Sequence, residues 1–463
     1  MPRRDQRRAR QPGFPDPHRV SVLQHAKTRA GPGGEHMRRH KRRWAAIPAV
    51  IAATGLLGAC GTTAEPAAEG PVTIEYWSGL QGTDVLVEEW NEANPDIQVA
   101  LSTSDGSWGE QFAKLMAALQ SGDAPCLMLM PYDYIPSLLV ADALTEVTDE
   151  VAGYESDYLE STWELVNYAG ATYGVPSGSG PMAMYYRADK FAELGIDVPA
   201  TWEQFEQAAR DVSTKAPGTY LIGLGGDSHT DFISLVGQKS DPWFEISDDA
   251  WSVDITNPES EEVADYWQRL RDEGLLNMTN RWDPTFYNDL SEGRQLAVIG
   301  GAWQAPLLAA NVSGGAGEWA IAPMPNWTEG DVASSSNGGG AQLAIKGCEH
   351  PDEAMQFANW LTTDMDAILS LKSFPAMKTD EMSTPDEVKT FFGGAEINQE
   401  LAEYALAMRP WRYSPTWTEG MTVLGDSMSA FKDGSGTLSD LLATLEAQQI
   451  ESMKALGISV TEP

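Results

Sequence analysis

The chain has 463 residues, 67 acidic against 31 basic side chains, and three cysteines. That length exceeds a single hydrophobic core and fits two or three domains, and an apolar share of 42% excludes wholesale disorder. A formal charge of −36 excludes a general nucleic-acid binder, which needs clustered lysine and arginine to meet phosphates.

The average conceals a division. Residues 1–59 hold 13 basic and 3 acidic side chains, whereas residues 60–463 hold 18 and 64, a net charge of −46. Residues 37–59, MRRHKRRWAAIPAVIAATGLLGA, run from a basic cluster through a short apolar stretch to small residues. This is the layout of an export signal, short for a membrane span and wrongly flanked for one. Its end, Leu57-Gly58-Ala59-Cys60, resembles the bacterial lipobox, where cleavage precedes the cysteine and the thiol takes a diacylglyceryl group. An uncleaved single-span anchor is the rival reading. Two or three acyl chains hold a protein firmly to a membrane, where one does so only marginally. Residues 60–71 then read as the lipidated cysteine and a tether of small residues and proline. Residues 1–36 place polar, proline-rich sequence ahead of a complete signal, so initiation is expected at Met37. No second run of about 18 apolar residues follows. The expected product is an exported body held on the outer face of the cell membrane.

In the body, Val72-Thr73-Ile74-Glu75-Tyr76-Trp77 and residues 97–101 read as strands. A helical stretch between them ends in the turn signal Asn94-Pro95-Asp96. Phe112, Leu115, Met116 and Leu119 recur on one helix face that Gly122 closes, and residues 127–130 are an apolar run suited to a buried strand. This β-α-β-α-β order implies a mostly parallel sheet with helices on both sides. A second unit begins near Pro176. Thr201 and Gln204 have capping-box spacing ahead of Phe205, Ala208, Ala209 and Val212. Pro351 opens a further helix, and Leu438, Leu441, Leu442 and Leu445 mark the last one.

Several short segments then occur in a telling order. They are Ile74-Glu75-Tyr76-Trp77, Asn94-Pro95-Asp96-Ile97, Leu119-Gln120-Ser121-Gly122-Asp123-Ala124-Pro125, Tyr185-Tyr186-Arg187-Ala188-Asp189, Pro199-Ala200-Thr201-Trp202, Gly300-Gly301-Ala302-Trp303 and Ala322-Pro323-Met324-Pro325. Gly338-Gly339-Gly340 and His350-Pro351-Asp352-Glu353-Ala354 complete the series. With them the chain resembles extracellular solute-binding protein family 1, the maltose-binding-protein-like receptors of ABC importers, over residues 72–456. Cys126 departs from the family's usual Asp, and Arg187 from a common Asn.

The resemblance implies an α/β, two-lobed type II fold of the Venus-flytrap kind, with a ligand cleft between lobes that close by a hinge motion. The implied lobes are residues 72–178 with 326–370, and 179–325 with 371–463, crossing near 179–182 and 322–325. It also implies an antiparallel pair of strands that brings Cys126 and Cys348 to one end, hence a disulfide. The implied partners are a small-molecule sugar, the permease subunits of an ABC transporter, and the membrane through Cys60. A monomer without cofactor, metal or catalytic residues is expected.

Fifteen tryptophans lie beyond residue 60, and an indole face packs well against the C–H face of a pyranose while nearby polar groups take its hydroxyls. Trp303 matches the family's stacking position; a core or hinge tryptophan is its alternative. Tyr132 and Asp133 follow a buried strand at the end where α/β crevices form. Asp133 matches a hydroxyl acceptor, with a turn or helix cap as the bland reading. Trp77 and Gln81, and Asp105 and Trp108, follow the first two strands, and each pair is balanced against core or exposed loop. Ser177, Ser179 and Gly339 fall at the expected crossings. Trp411, Tyr413 and Trp417 occupy the region where the family brings an aromatic to the cleft mouth. Asp227, His229 and Asp231 read as a solvated polar loop. There is no GxSxG, no GxxxxGK[ST] and no HExxH, and with 64 acidic residues a carboxylate pair carries no information about hydrolysis. Receptors for a polyamine or phosphoester, and a surface glycoside hydrolase, remain the rivals to a sugar receptor.

Overall fold

A computed structural model describes residues 70–461 apart from 105, 169, 248, 249, 372, 380 and 381. The signal, Cys60, most of the tether and Asp105 lie outside the described residues.

Strands β1 (Val72–Ser78), β2 (Ile97–Thr103) and β3 (Leu127–Pro131) pair in parallel in the order β2-β1-β3. Helices α1 (Thr83–Ala93) and α2 (Trp108–Ser121) are their crossovers. A reciprocal capping box between Ser107 and Glu110 starts α2, and Gly122 ends it in the left-handed region at φ 82°.

The sheet then changes character. Strand β4 (Gly174–Arg187) is 14 residues long, and β5 (Ala297–Gly301), β6 (Trp319–Pro323) and β7 (Ser336–Ala344) complete the main sheet. Strand β7 runs antiparallel to β3, with Gly340 opposite Pro131 and Ala344 opposite Leu127. The first half of β4 pairs with β7 as far as Pro181 opposite Ser336. From Met182 it pairs with β5 on one side, and from Ala183 with β6 on the other, both antiparallel. The expected mostly parallel sheet is therefore confined to β1–β3. Strand β4 runs in the same direction as β3, and β7 lies between them running the opposite way, so both of its pairings are antiparallel.

The longest helices of the later chain include α3 (Trp202–Lys215), α4 (His229–Lys239), α5 (Pro258–Asp272), α6 (Pro351–Thr363), α7 (Trp417–Asp433) and α8 (Leu438–Ala455). At the start of α3 only half of the capping box forms. Thr201 Oγ1 accepts from the Gln204 amide at 3.2 Å, while Gln204 Oε1 turns to the Ala200 amide at 2.8 Å.

Separate cores flank β4. Ile74, Leu127, Met128 and Leu343 pack with Phe357 and Leu361 of α6. Met182 and Met184 pack with Phe205, Trp267, Leu424 and Leu441, so α7 and α8 return to this second core. A third cluster gathers Tyr185, Val298 and Trp319 with Phe391 and Leu401. These apolar faces fold the chain into two lobes whose sheets share β4.

Cys126 and Cys348 form a disulfide, with Cα atoms 4.3 Å apart. Cys126 precedes β3 and Cys348 follows β7, so the antiparallel pairing brings them together at the end of β3 away from Pro131. Buried Arg187, the other departure from the family pattern, grips both Asp189 oxygens, at 2.7 and 2.6 Å.

Candidate functional site

The carboxyl end of β3 and the crossing of β4 with β7 face a cavity of about 540 Å³. The phenol of Tyr132 donates to the Gly178 carbonyl at 2.9 Å, tying the end of β3 to β4. Gly339 of β7 has φ 94°, and a Cβ there would stand 2.5 Å from Gly178 O and 2.9 Å from Tyr132 Cε2. Only glycine permits that backbone shape and that approach. Ser177 and Ser179 line the same floor. Ser177 Oγ accepts from Gln342 Nε2 at 3.2 Å, and Ser179 Oγ donates to the Pro375 carbonyl at 2.6 Å. Ser177 thus keeps a free hydroxyl proton, while Ser179 is spent on the scaffold.

Trp108, at the first turn of α2, and Asp133, just past β3, form one wall. Burial raises the Asp133 carboxyl to about 6, against the lowering effect of its own amide and a hydrogen bond with the Trp417 side chain. Trp303 forms the facing wall directly after the wholly buried β5, its Nε1 donating to the Asn337 carbonyl at 2.8 Å. A Cβ on Gly301 would lie 2.5 Å from that carbonyl and 2.6 Å from that nitrogen. The small residue ahead of the tryptophan is the clearance for the bond. Trp411 sets its ring edge-on to Trp243 at 5.2 Å, and Tyr413 tilts over Trp417 at 5.2 Å. Burial, then the neighbouring Asp133, push the Tyr413 phenol well above its ordinary range.

The candidates described so far share this cavity; two others do not reach it. Trp77 belongs to the first core, where Lys114 Nζ sits 4.2 Å from its ring centre, and Gln81 is exposed. Leu80 lines the cavity in their place.

Sequence reasoning missed Trp282. Its ring lies nearly parallel to that of Trp303, centroids 6.0 Å apart and planes 20° apart, and the residue is 62% exposed. The only local signal is an aromatic residue just ahead of the helix-starting pair Asp283-Pro284. The expectation of a solvated loop at Asp227, His229 and Asp231 is also corrected. Asp227 accepts the backbone amides of Arg281 and Trp282 on its two oxygens, at 2.8 and 3.0 Å. Asp231 is 5% exposed and accepts from Arg281 Nη1 at 2.6 Å and from Asn337 Nδ2 at 2.7 Å. Burial raises its carboxyl and the Arg281 charge opposes that. Burial lowers the His229 imidazole, whose Nδ1 has no hydrogen-bond partner among the described residues. Among the described residues, the lining contains Asp133 and Asp227 but no lysine or arginine.

A two-lobed α/β chain with an aromatic cleft at its strand crossing defines the class of solute-capturing receptors. The model of the bacterial extracellular solute-binding protein family matches residues 76–368, and the chain belongs to that family. Among its relatives, a maltooligosaccharide ABC transporter solute-binding lipoprotein of Streptococcus pneumoniae is 24% identical over 430 residues, 87% of this chain and 96% of that protein. An arabinooligosaccharide-binding protein of Halalkalibacterium halodurans is 24% identical over 301 residues, 62% of this chain and 67% of that one. Among solved structures, the galacto-N-biose/lacto-N-biose I-binding protein of a Bifidobacterium longum ABC transporter, in complex with lacto-N-biose, superposes with a TM-score of 0.79. It is 30% identical, and the match covers 85% of this chain and 100% of that one.

Proposed function

We propose that this protein captures an uncharged mono- or oligosaccharide at the outer face of the cell membrane for uptake by an ABC transporter, held there by lipid on Cys60. The observation that carries the reading is the pair of near-parallel indoles, Trp282 and Trp303, facing a largely apolar and aromatic cavity in which a few polar side chains, among them Ser177, Asp133, Asp227 and Asn337, are interspersed. Flat apolar planes take the C–H faces of sugar rings, and the polar rim takes their hydroxyls. The sugar-binding relatives support the same class of ligand.

The cleft chemistry weighs against the other solutes. A phosphoester calls for cationic donors, and the described lining has no lysine or arginine. A polyamine calls for free carboxylates, yet both Asp227 oxygens hold backbone amides, and burial favours the neutral form of Asp133, the other carboxyl of the lining. Action by binding alone fits the same facts, since a hydrolase needs two uncommitted carboxyl groups astride the bond. Affinity requires that the closed form binds the sugar much more tightly than the open form. The lobes moving about the crossing would be residues 72–178 with 326–370 and residues 179–325 with 371–463.

Calorimetry and thermal unfolding of the signal-free chain test this reading. The panel is neutral di- and trisaccharides, a sugar phosphate, a uronate and spermidine. A neutral saccharide at 100 times its Kd should stabilise the protein by about 2.7 kcal/mol. Stabilisation by spermidine or the phosphate, with none from any neutral saccharide, would overturn the reading.

A further inference from the structure

Behind the cleft wall four residues close a circuit. Trp303 Nε1 donates to Asn337 O at 2.8 Å, and Asn337 Nδ2 donates to Asp231 Oδ1 at 2.7 Å. Asp231 Oδ1 also takes Arg281 Nη1 at 2.6 Å. The guanidinium carbon of Arg281 then stands over the Trp303 ring, 5.7 Å from its centre. A second guanidinium nitrogen donates to the Ile299 carbonyl of β5 at 2.8 Å. Arg281 is 7% exposed, and a buried charge of this kind persists only when paired and fully hydrogen-bonded.

The four members come from distant parts of the chain: the exit of β5, the strand β7, the first turn of α4, and the segment before Asp283. An indole whose N–H is fixed and whose face lies against a planar cation loses both its swing and its tilt. The same segment fixes the second indole, because Asp227 holds the backbone amide of Trp282.

We propose that Arg281 is a positioning residue for the ligand. It holds the Trp303 ring in the plane that stacks on a sugar and, through Asp231 and Asn337, ties that ring to β7, the strand that pairs with the first half of β4. The sugar part of this statement rests on the function proposed above; the restraint on Trp303 does not. Arg281 acts through the tryptophan rather than on the ligand, so its effect should vanish when the tryptophan is absent.

Two measurements on the signal-free chain decide the matter. The first follows hydrogen exchange at the indole Nε1–H of Trp303 in the free protein, by NMR with ¹⁵N-labelled tryptophan and Trp303→Phe for assignment. Arg281→Met should speed that exchange by at least about tenfold, while the Trp202 indole, bonded to Gln238 in another part of the protein, stays unchanged. Arg281→Lys should lie between. Asn337→Ala, which removes the amide link but keeps the carbonyl, should also speed it, and these two variants serve if Arg281→Met does not fold. Unaltered exchange in all of them overturns the proposal.

The second measurement is the affinity for lacto-N-biose by calorimetry. Arg281→Met should weaken it by at least about tenfold, and Arg281→Met combined with Trp303→Ala should bind no more weakly than Trp303→Ala alone. Additive losses would overturn the route through Trp303. Should no saccharide bind the unmodified protein, the sugar reading fails, and the exchange measurement still decides whether Arg281 restrains the ring.

Discussion

Asp133, in the turn after β3, and Trp417, the first residue of α7, line the same cavity. Burial outweighs the lowering influence of the Asp133 amide and the Trp417 side chain and raises the carboxyl from 3.8 to about 6. The folded chain therefore holds this proton more tightly than the unfolded chain does. The resulting stabilisation is complete below the unfolded value and is lost as the pH rises through about 6. It amounts to at most about 3 kcal/mol. Asp133→Asn should flatten that part of the stability profile. Urea unfolding of both proteins across the acid range checks this, and parallel profiles would exclude Asp133 as the source.

The stacked indoles differ in exposure, and so should their variants. Trp282 is mostly exposed, so Trp282→Ala should leave the free protein's stability within about 0.5 kcal/mol while weakening saccharide binding about tenfold. Trp303→Ala should weaken it about 30-fold or more and cancel the thermal shift. Calorimetry and thermal unfolding of each variant provide the check.

The disulfide lies at the opposite end of β3 from the cleft. The five residues of that strand put roughly 15 Å between them. Cys126→Ser with Cys348→Ser should lower stability by about 2–5 kcal/mol through freeing a long loop, with saccharide affinity unchanged. A thiol titre on the denatured signal-free chain, before and after reduction, tests whether the bond is present. Two free thiols without reductant would refute it.

Gly301 offers a steric test. Its α-carbon side faces the Asn337 carbonyl and the Trp303 nitrogen, and both are too close for a methyl group. Gly301→Ala should cost about 1–3 kcal/mol of stability and should weaken saccharide binding by displacing the ring. Binding at full strength would show that the ring tolerates a shift.

Local signals carried some of this structure and not the rest. The apolar run at Leu127–Met130 and the face Phe112, Leu115, Met116, Leu119 were legible because burial imposes a period on each. Strand direction was not, because alternation has no polarity; the antiparallel course of β7 against β3 came only from the family resemblance, and the antiparallel pairings of β4 were not read at all. Trp303 stood out because the segment Gly300-Gly301-Ala302-Trp303 resembles the family's stacking position. Trp282 did not, being one aromatic residue in a short loop. Trp77 misled for a different reason. Strand β1 is central, with β2 and β3 on either side, and its last three residues are all buried. Asp231 read as part of a solvated polar loop, because its cation lies 50 positions further along the chain.

One unbroken ribbon, β4, is woven into the sheets of both lobes, with β7 alongside it at the crossing. Such a joint resists sliding, because slippage would break a whole ladder of backbone bonds at once. It yields far more easily to flexing and twist, like a hinged jaw on a fixed axle. The proposed closure on a sugar would then be a rotation about this joint, with the pairing of β4 and β7 kept intact.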